Sequence, residues 1–305
     1  MWLILAFLSA ALLGCYDSFK KDALKDNAVI PVLTLNTLFS SLIFLPFIVL
    51  STQTSWLDGS AFQVASGGWA EHKYILLKAC IVLSSWVLGY FGMKHLPLTI
   101  VGPINATRPV MVLVGALLVF GERLNMWQWV GVMLAVASFL LLSRSGKKEG
   151  IDFKHDHWIY MIVGAAALGA ISGLYDKYLM APQSEGGVGL DRMMVQSWYN
   201  IYQCGMMAVM MGLLWWPKRK QTTPFHWSWS VLGVSLFLSS ADFLYFYSLS
   251  LPSAMISIVS MIRRGSVVVS FLFGALVFHE KNLRAKALDL ALVLLGMLFL
   301  YVGSK

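Results

Sequence analysis

Charge is scarce in this chain. Asp, Glu, Lys and Arg make up 12% of its 305 residues, about half the share of about 25% usual for a soluble domain. A soluble fold of this size is therefore excluded. Long polar stretches are missing too. The longest expected loops, residues 52–72 and 144–156, are too short to be domains. The three cysteines, Cys15, Cys80 and Cys204, lie in apolar segments, odd in number and without metal-site spacing. That excludes a disulfide framework and a cysteine-based metal site. His155-x-His157 in a short polar loop reads as solvated. The chain has no His-Glu-x-x-His pattern, no phosphate-cradling glycine loop and no Ser or Cys nucleophile motif. ATP-driven transport and hydrolysis thus have no support. The chain is read as not an enzyme, with no cofactor. Residues 1–14 hold no Lys or Arg, so Leu12-Leu13-Gly14-Cys15 lacks the basic start of a lipoprotein signal, and the first apolar run is expected to stay in the protein.

What is present is apolar sequence, 58% of the chain. It recurs in runs near the roughly 20 residues that cross a hydrocarbon core. Ten spans are expected, near residues 2–20, 29–51, 73–94, 96–120, 125–143, 157–180, 191–216, 227–250, 252–279 and 284–303. Trp and Tyr gather at their ends, as in an interfacial belt. The net charge of +8 lies in short loops and not in a basic domain, so nucleic acid is not an expected partner. The basic residues concentrate after spans 1, 3, 5, 7 and 9, among them Lys20, Lys21, Lys94, Lys147, Lys218 and Lys286. This bias puts both termini outside the cytoplasm of a multi-pass inner-membrane protein.

The chain repeats itself. AFLSAALLGCYD at 6–17 aligns with AAALGAISGLYD at 165–176, matching Gly14 to Gly173, Tyr16 to Tyr175 and Asp17 to Asp176. Ala6, Ala10 and Gly14, like Ala165, Gly169 and Gly173, fall every fourth position and make a stripe for close helix approach. HLPLTIVGPINATRP at 95–109 aligns with SLPSAMISIVSMIRR at 250–264, matching Arg108 to Arg263. The reading is an all-α integral membrane protein of ten transmembrane helices in two inverted five-helix repeats, 1–145 and 157–305. Five is odd, so the second repeat enters from the opposite side.

An ionisable group inside a span costs a few kcal/mol, roughly 2.5–3.5 at the helix centre, and so marks a candidate site. Arg108 sits about halfway along span 4, and Arg263 and Arg264 about halfway along span 9. Each is open to two readings: a cationic solute site, or a structural arginine with a counter-charge. Of the adjacent pair, one is expected to face a cavity, since neighbours on a helix point ~100° apart. Asn105 and Ser260 lie one turn before Arg108 and Arg263 and give those faces a polar character. Asp242 is the best counter-charge, either structural or a proton carrier, and Tyr245 follows at helical spacing. Asp17 and Asp176 read as helix-end charges or as site residues. Lys78 reads as snorkelling. Asn36, Gln196 and Asn200 read as pore-lining donors or interhelical hydrogen bonders. Glu122 and Glu280 read as interfacial fold elements.

These residues also carry a resemblance. The first span of each half ends in Gly-x-aromatic, and a Leu-Pro turn opens spans 4 and 9. VFGERLNMWQWVG at 119–131 places Gly131 nine residues after Glu122. In these features the chain resembles ten-helix members of the drug/metabolite transporter superfamily, of the EamA type. It departs from the pattern at Asp289, which stands at a glycine position. The resemblance implies alternating-access transport of small metabolites with no cofactor, and gives no substrate. The repeats put the site near the midplane between them, the central arginines point to a small polar metabolite, an anionic one included, and Asp242 leaves coupling to protons open, in a monomer or homodimer among membrane lipids. A lipid-linked sugar flippase of the same fold is the alternative, and an integral-membrane enzyme or sensor the alternative outside transport.

Overall fold

In hydrocarbon a backbone N–H or C=O has no water to bond, so a spanning segment must close its hydrogen bonds within itself as a helix. The structure, a computed structural model, describes residues 2–108, 110–111, 125–147, 153, 155–180, 182–251, 259, 262–280 and 283–303. Its α-helices among those residues are α1 (Trp2–Ala23), α2 (Val29–Gln53), α3 (Trp69–His95), α4 (Leu98–Ala106), α5 (Met126–Lys147), α6 (His157–Met180), α7 (Arg192–Met210), α8 (Trp229–Ser250), α9 (Ser266–Leu276) and α10 (Leu283–Gly303). Six are long and apolar enough to cross a membrane: α1, α2, α3, α6, α8 and α10. The motif run at 119–124, with Glu122 and Arg123, lies outside the described residues, as do Pro252 and Ser260.

Local sequence sets the ends. Asn27 closes the turn after α1: its Nδ2 donates to Ala23 O at 3.0 Å and to His226 O at 2.7 Å, and its Oδ1 accepts from His226 N at 2.9 Å. One side chain thus ties the end of α1 to the approach to α8. Asp191 starts α7 by accepting from Met194 N at 2.8 Å. Pro97 precedes α4, where its missing N–H costs nothing. The carboxylate of Glu280 accepts from Leu98 N at 2.6 Å and Thr99 N at 2.8 Å. The expected fold element at Glu280 is therefore a cap supplied by one half of the chain to a helix of the other.

The strongest packing crosses between the two halves. α1 lies on α8 and α9, α3 on α6, α2 on α7, α4 on α9, and α5 on α10. Exchanging the halves turns the α1–α8 pair into the α6–α3 pair and the α1–α9 pair into the contact of α6 with α4, and it returns α2–α7, α4–α9 and α5–α10 each to itself.

Several charges read as snorkelling or as loop residues belong to this packing. Lys78 does not snorkel: it is buried and bound to Asp176. Lys20 is buried in α1. Lys21 donates to Met93 O at 2.8 Å and Leu96 O at 2.5 Å, closing the free carbonyls at the end of α3. Lys286 is 0% exposed in α10 and donates to Thr99 Oγ1 at 2.8 Å. These lysines drop out of the loop-charge count because neighbouring helices cover them. Asp289, at the glycine position of α10, is buried as well, and its backbone carbonyl accepts from Ser138 at 2.7 Å.

Candidate functional site

The small-residue stripes do two jobs. A Cβ built on Gly14 would lie 2.8 Å from Ser266 O, so α1 and α9 touch there backbone to backbone. On α6 the matching stripe opens. Ser85 Oγ donates to Ala165 O at 2.8 Å, which holds α3 against α6. At Gly169 the vacant space is taken by Arg108, whose guanidinium carbon would lie 2.8 Å from an added Cβ. At Gly173 nothing lies within 4 Å. The α6 stripe is thus not one flat packing face, as the spacing alone suggested. It is the wall of a cavity.

That cavity opens at a mouth and is lined by polar and charged side chains as well as apolar ones. Residues of α1, α3, α4, α6, α7, α8 and α9 line it, together with Arg108 and the short helical stretch at Arg263 and Arg264. Lys78 and Tyr90, both in its lining, are twelve residues apart on α3. At 1.5 Å per residue that is about 18 Å, over half of a hydrocarbon core of about 30 Å.

The charges lie in layers. At one end Lys20 Nζ donates to Asp17 Oδ1 at 3.1 Å and to the Tyr16 hydroxyl at 3.3 Å, and lies 5.1 Å from the Tyr90 ring centre. Ser270 Oγ donates to the other Asp17 oxygen at 3.3 Å. At the other end Lys78 pairs with Asp176, and Arg263 with Asp242. The Tyr199 hydroxyl donates to Asp242 Oδ2 at 3.0 Å, and the Arg263 guanidinium stacks 4.2 Å from the Tyr245 ring centre. Lys78 also lies 5.1 Å from the Tyr199 ring centre. Between the ends are Arg108 and Arg264. Arg108 donates to Asn105 Oδ1 at 2.9 Å. Arg264 lines the cavity and has no hydrogen-bond or ion-pair partner among the described residues.

Most of the residues singled out in the sequence therefore meet in one place: Arg108, Arg263, Arg264, Asn105, Asp242, Tyr245, Asp17 and Asp176 all line the cavity. Asp17 and Asp176 are not solvated helix-end charges, because α1 and α6 carry them into the bundle, where Lys20 and Lys78 meet them. Asn36 is a correction. It is 0% exposed in α2, away from the lining, and its amide has no partner among the described residues. Gln196 is interhelical, its amide donating to Ser239 O of α8 at 3.4 Å, whereas the Asn200 amide donates within α7 to Gln196 O at 2.8 Å. Sequence reasoning missed Tyr16, Tyr90, Trp86 and Tyr199, since aromatic residues inside apolar spans look like packing. It also missed Lys78 as a pair member, whereas a charge pair of Asp17 with the lysines that follow it was one of its readings. The missing signal for Lys78 was its acid, which stands 98 positions away on another helix.

The described residues thus form an all-helical bundle with several helices long and apolar enough to cross a membrane and an open, partly polar cavity among them. Residues 1–144 match the model of the EamA-like transporter family, which suggests a membrane transporter in general terms. No curated protein matches the chain. A solved crystal structure is similar to it with a TM-score of 0.63 and 13% sequence identity, covering 97% of this chain and 94% of that one. At that identity the likeness speaks for the fold alone.

Proposed function

We propose that the protein is a secondary transporter that moves a small anionic metabolite across the inner membrane by alternating access. The observation that carries this reading is the charge balance of the cavity. Its lining holds the cations Lys20, Lys78, Arg108, Arg263 and Arg264 and the carboxylates Asp17, Asp176 and Asp242. Among the described residues each carboxylate is engaged by one cation, and two guanidiniums are in excess. Unmatched charge is costly inside a bilayer and marks a solute path.

The ten-span count, the division at 1–145 and 157–305 and the inverted relation of the two repeats belong to the same proposal. The exchange symmetry of the helix pairs and the alignment of Asp17 with Asp176 support them. The solute site would then lie between the repeats near the midplane, at the level of Arg108 and Arg264. Asp242, held by Arg263 and by Tyr199, suits a scaffold for that level better than a proton carrier. With Lys20, Lys21 and Lys286 removed from the loop charges, the remaining basic residues still favour termini outside the cytoplasm.

The test is flux. Purified protein in liposomes is expected to accumulate at least one small anion, and Arg108→Ala is expected to abolish that uptake while expressing and folding normally. Full uptake by a folded Arg108→Ala variant would refute the role given to the central arginines.

A further inference from the structure

We infer that the transported solute is a small organic dianion held between Arg108 and Arg264, and that the carrier reorients readily only when loaded. This rests on the transporter reading and makes it more specific. Lys20, Lys78 and Arg263 are already neutralised by Asp17, Asp176 and Asp242. Arg108 has only a neutral amide, that of Asn105, and Arg264 has no partner among the described residues. Each stands beside a break in its helix, Arg108 after the turn at Thr107 and Arg264 before the turn at Gly265. Both guanidiniums border the same space.

Two cations without a counter-charge among the described residues set the charge of the ligand. A monoanion leaves one guanidinium unmatched when the cavity closes, and a neutral solute leaves two. A dianion cancels both, and the planar guanidinium fork suits the paired oxygens of a phosphate or a carboxylate. Trp86, Tyr90, Tyr245 and Phe246 supply aromatic walls for the organic part of the solute. Phosphate monoesters, which are dianions above about pH 6, and dicarboxylates share this chemistry.

The same charges govern the empty carrier. Passing from one open face to the other requires the cavity to be closed for a time. Closing it empty strips water from two unmatched cations, whereas closing it loaded does not. The loaded form therefore crosses faster, and transport runs as exchange of one dianion for another.

The experiment uses the full chain in liposomes and four labelled probes: glycerol phosphate, succinate, lactate and glycerol. Each is offered to liposomes that are empty or preloaded with the same unlabelled solute. Uptake of glycerol phosphate, succinate or both is expected, at least about tenfold faster into preloaded liposomes. Lactate and glycerol are not expected to enter. Arg264→Gln should raise the dianion concentration for half-maximal uptake about tenfold or more, and Arg264→Lys, which keeps the charge, by less. The wild-type comparison decides alone if either variant fails to fold. Uptake of lactate or glycerol without either dianion overturns the dianion assignment and leaves the transporter reading standing. Equal dianion uptake into empty and preloaded liposomes overturns the exchange. If no probe enters and none raises the unfolding temperature, both this inference and the anion-transporter reading fall.

Discussion

Gly14 and Gly173 occupy the same position of the two aligned segments, yet the structure predicts opposite outcomes for the same substitution. A helix gains up to about 1 kcal/mol when an interior glycine becomes alanine. At Gly173 the new methyl meets nothing within 4 Å, so that gain is kept. At Gly14 it falls 2.8 Å from Ser266 O and against Val269. A backbone carbonyl of a packed helix cannot swing aside, and overpacking of this kind costs about 1–3 kcal/mol. Gly14→Ala should therefore lose roughly 1–2 kcal/mol. Gly173→Ala should gain up to about 1 kcal/mol. At roughly 2 °C per kcal/mol for a chain of this size, the variants should unfold about 5 °C apart. The assay is thermal unfolding of purified protein in one detergent at one scan rate, because membrane-protein unfolding is commonly irreversible. Equal destabilisation by both substitutions would refute the distinction between a packed stripe on α1 and an open wall on α6. So would an unchanged Gly14→Ala.

Other substitutions probe the buried charges. Asp176→Asn strands the Lys78 ammonium and should cost about 3–5 kcal/mol, and a Lys78→Met, Asp176→Asn double variant should recover much of that. A double-mutant cycle that is additive within about 0.5 kcal/mol would show that the pair does not form. Glu280→Ala removes the cap from α4 and should lower stability by about 1–2 kcal/mol, read as a fall in unfolding temperature. Asn36→Leu removes a buried amide without a described partner and should be neutral or stabilising while leaving uptake intact. Loss of uptake in that variant would return Asn36 to the site.

Much of the site was legible because charge is so conspicuous in an apolar chain. Arg108, Arg263, Arg264, Asp242, Asp17 and Asp176 stand out at once, and all line the cavity. Their states were not legible. Asp17 finds its cation three residues away on its own helix, but Asp176 finds Lys78 on α3 and Asp242 finds Arg263 beyond the end of α8. Asn36 looked like its polar neighbours in the sequence, and only the placement of its helix removed it from the cavity: α2 packs on α7 and α8, off the lining, and the Asn36 backbone carbonyl accepts from Ser235 of α8 at 3.2 Å. Gly169 carried a signal read as helix packing, whereas the space it leaves is filled by Arg108.

The sequence by itself determined that this chain lies in a membrane as a set of helices, because length and apolar content leave a backbone in hydrocarbon no other way to close its hydrogen bonds. It also determined that several charges would be held inside. Which of those charges cancel, and which two have no counter-charge among the described residues, was decided only by the tertiary structure. Neutralisation needs atoms in contact, and the partners of Lys78 and of Arg263 come from other segments of the chain, brought together by the packing of α3 on α6 and of the segment at Arg263 against α8.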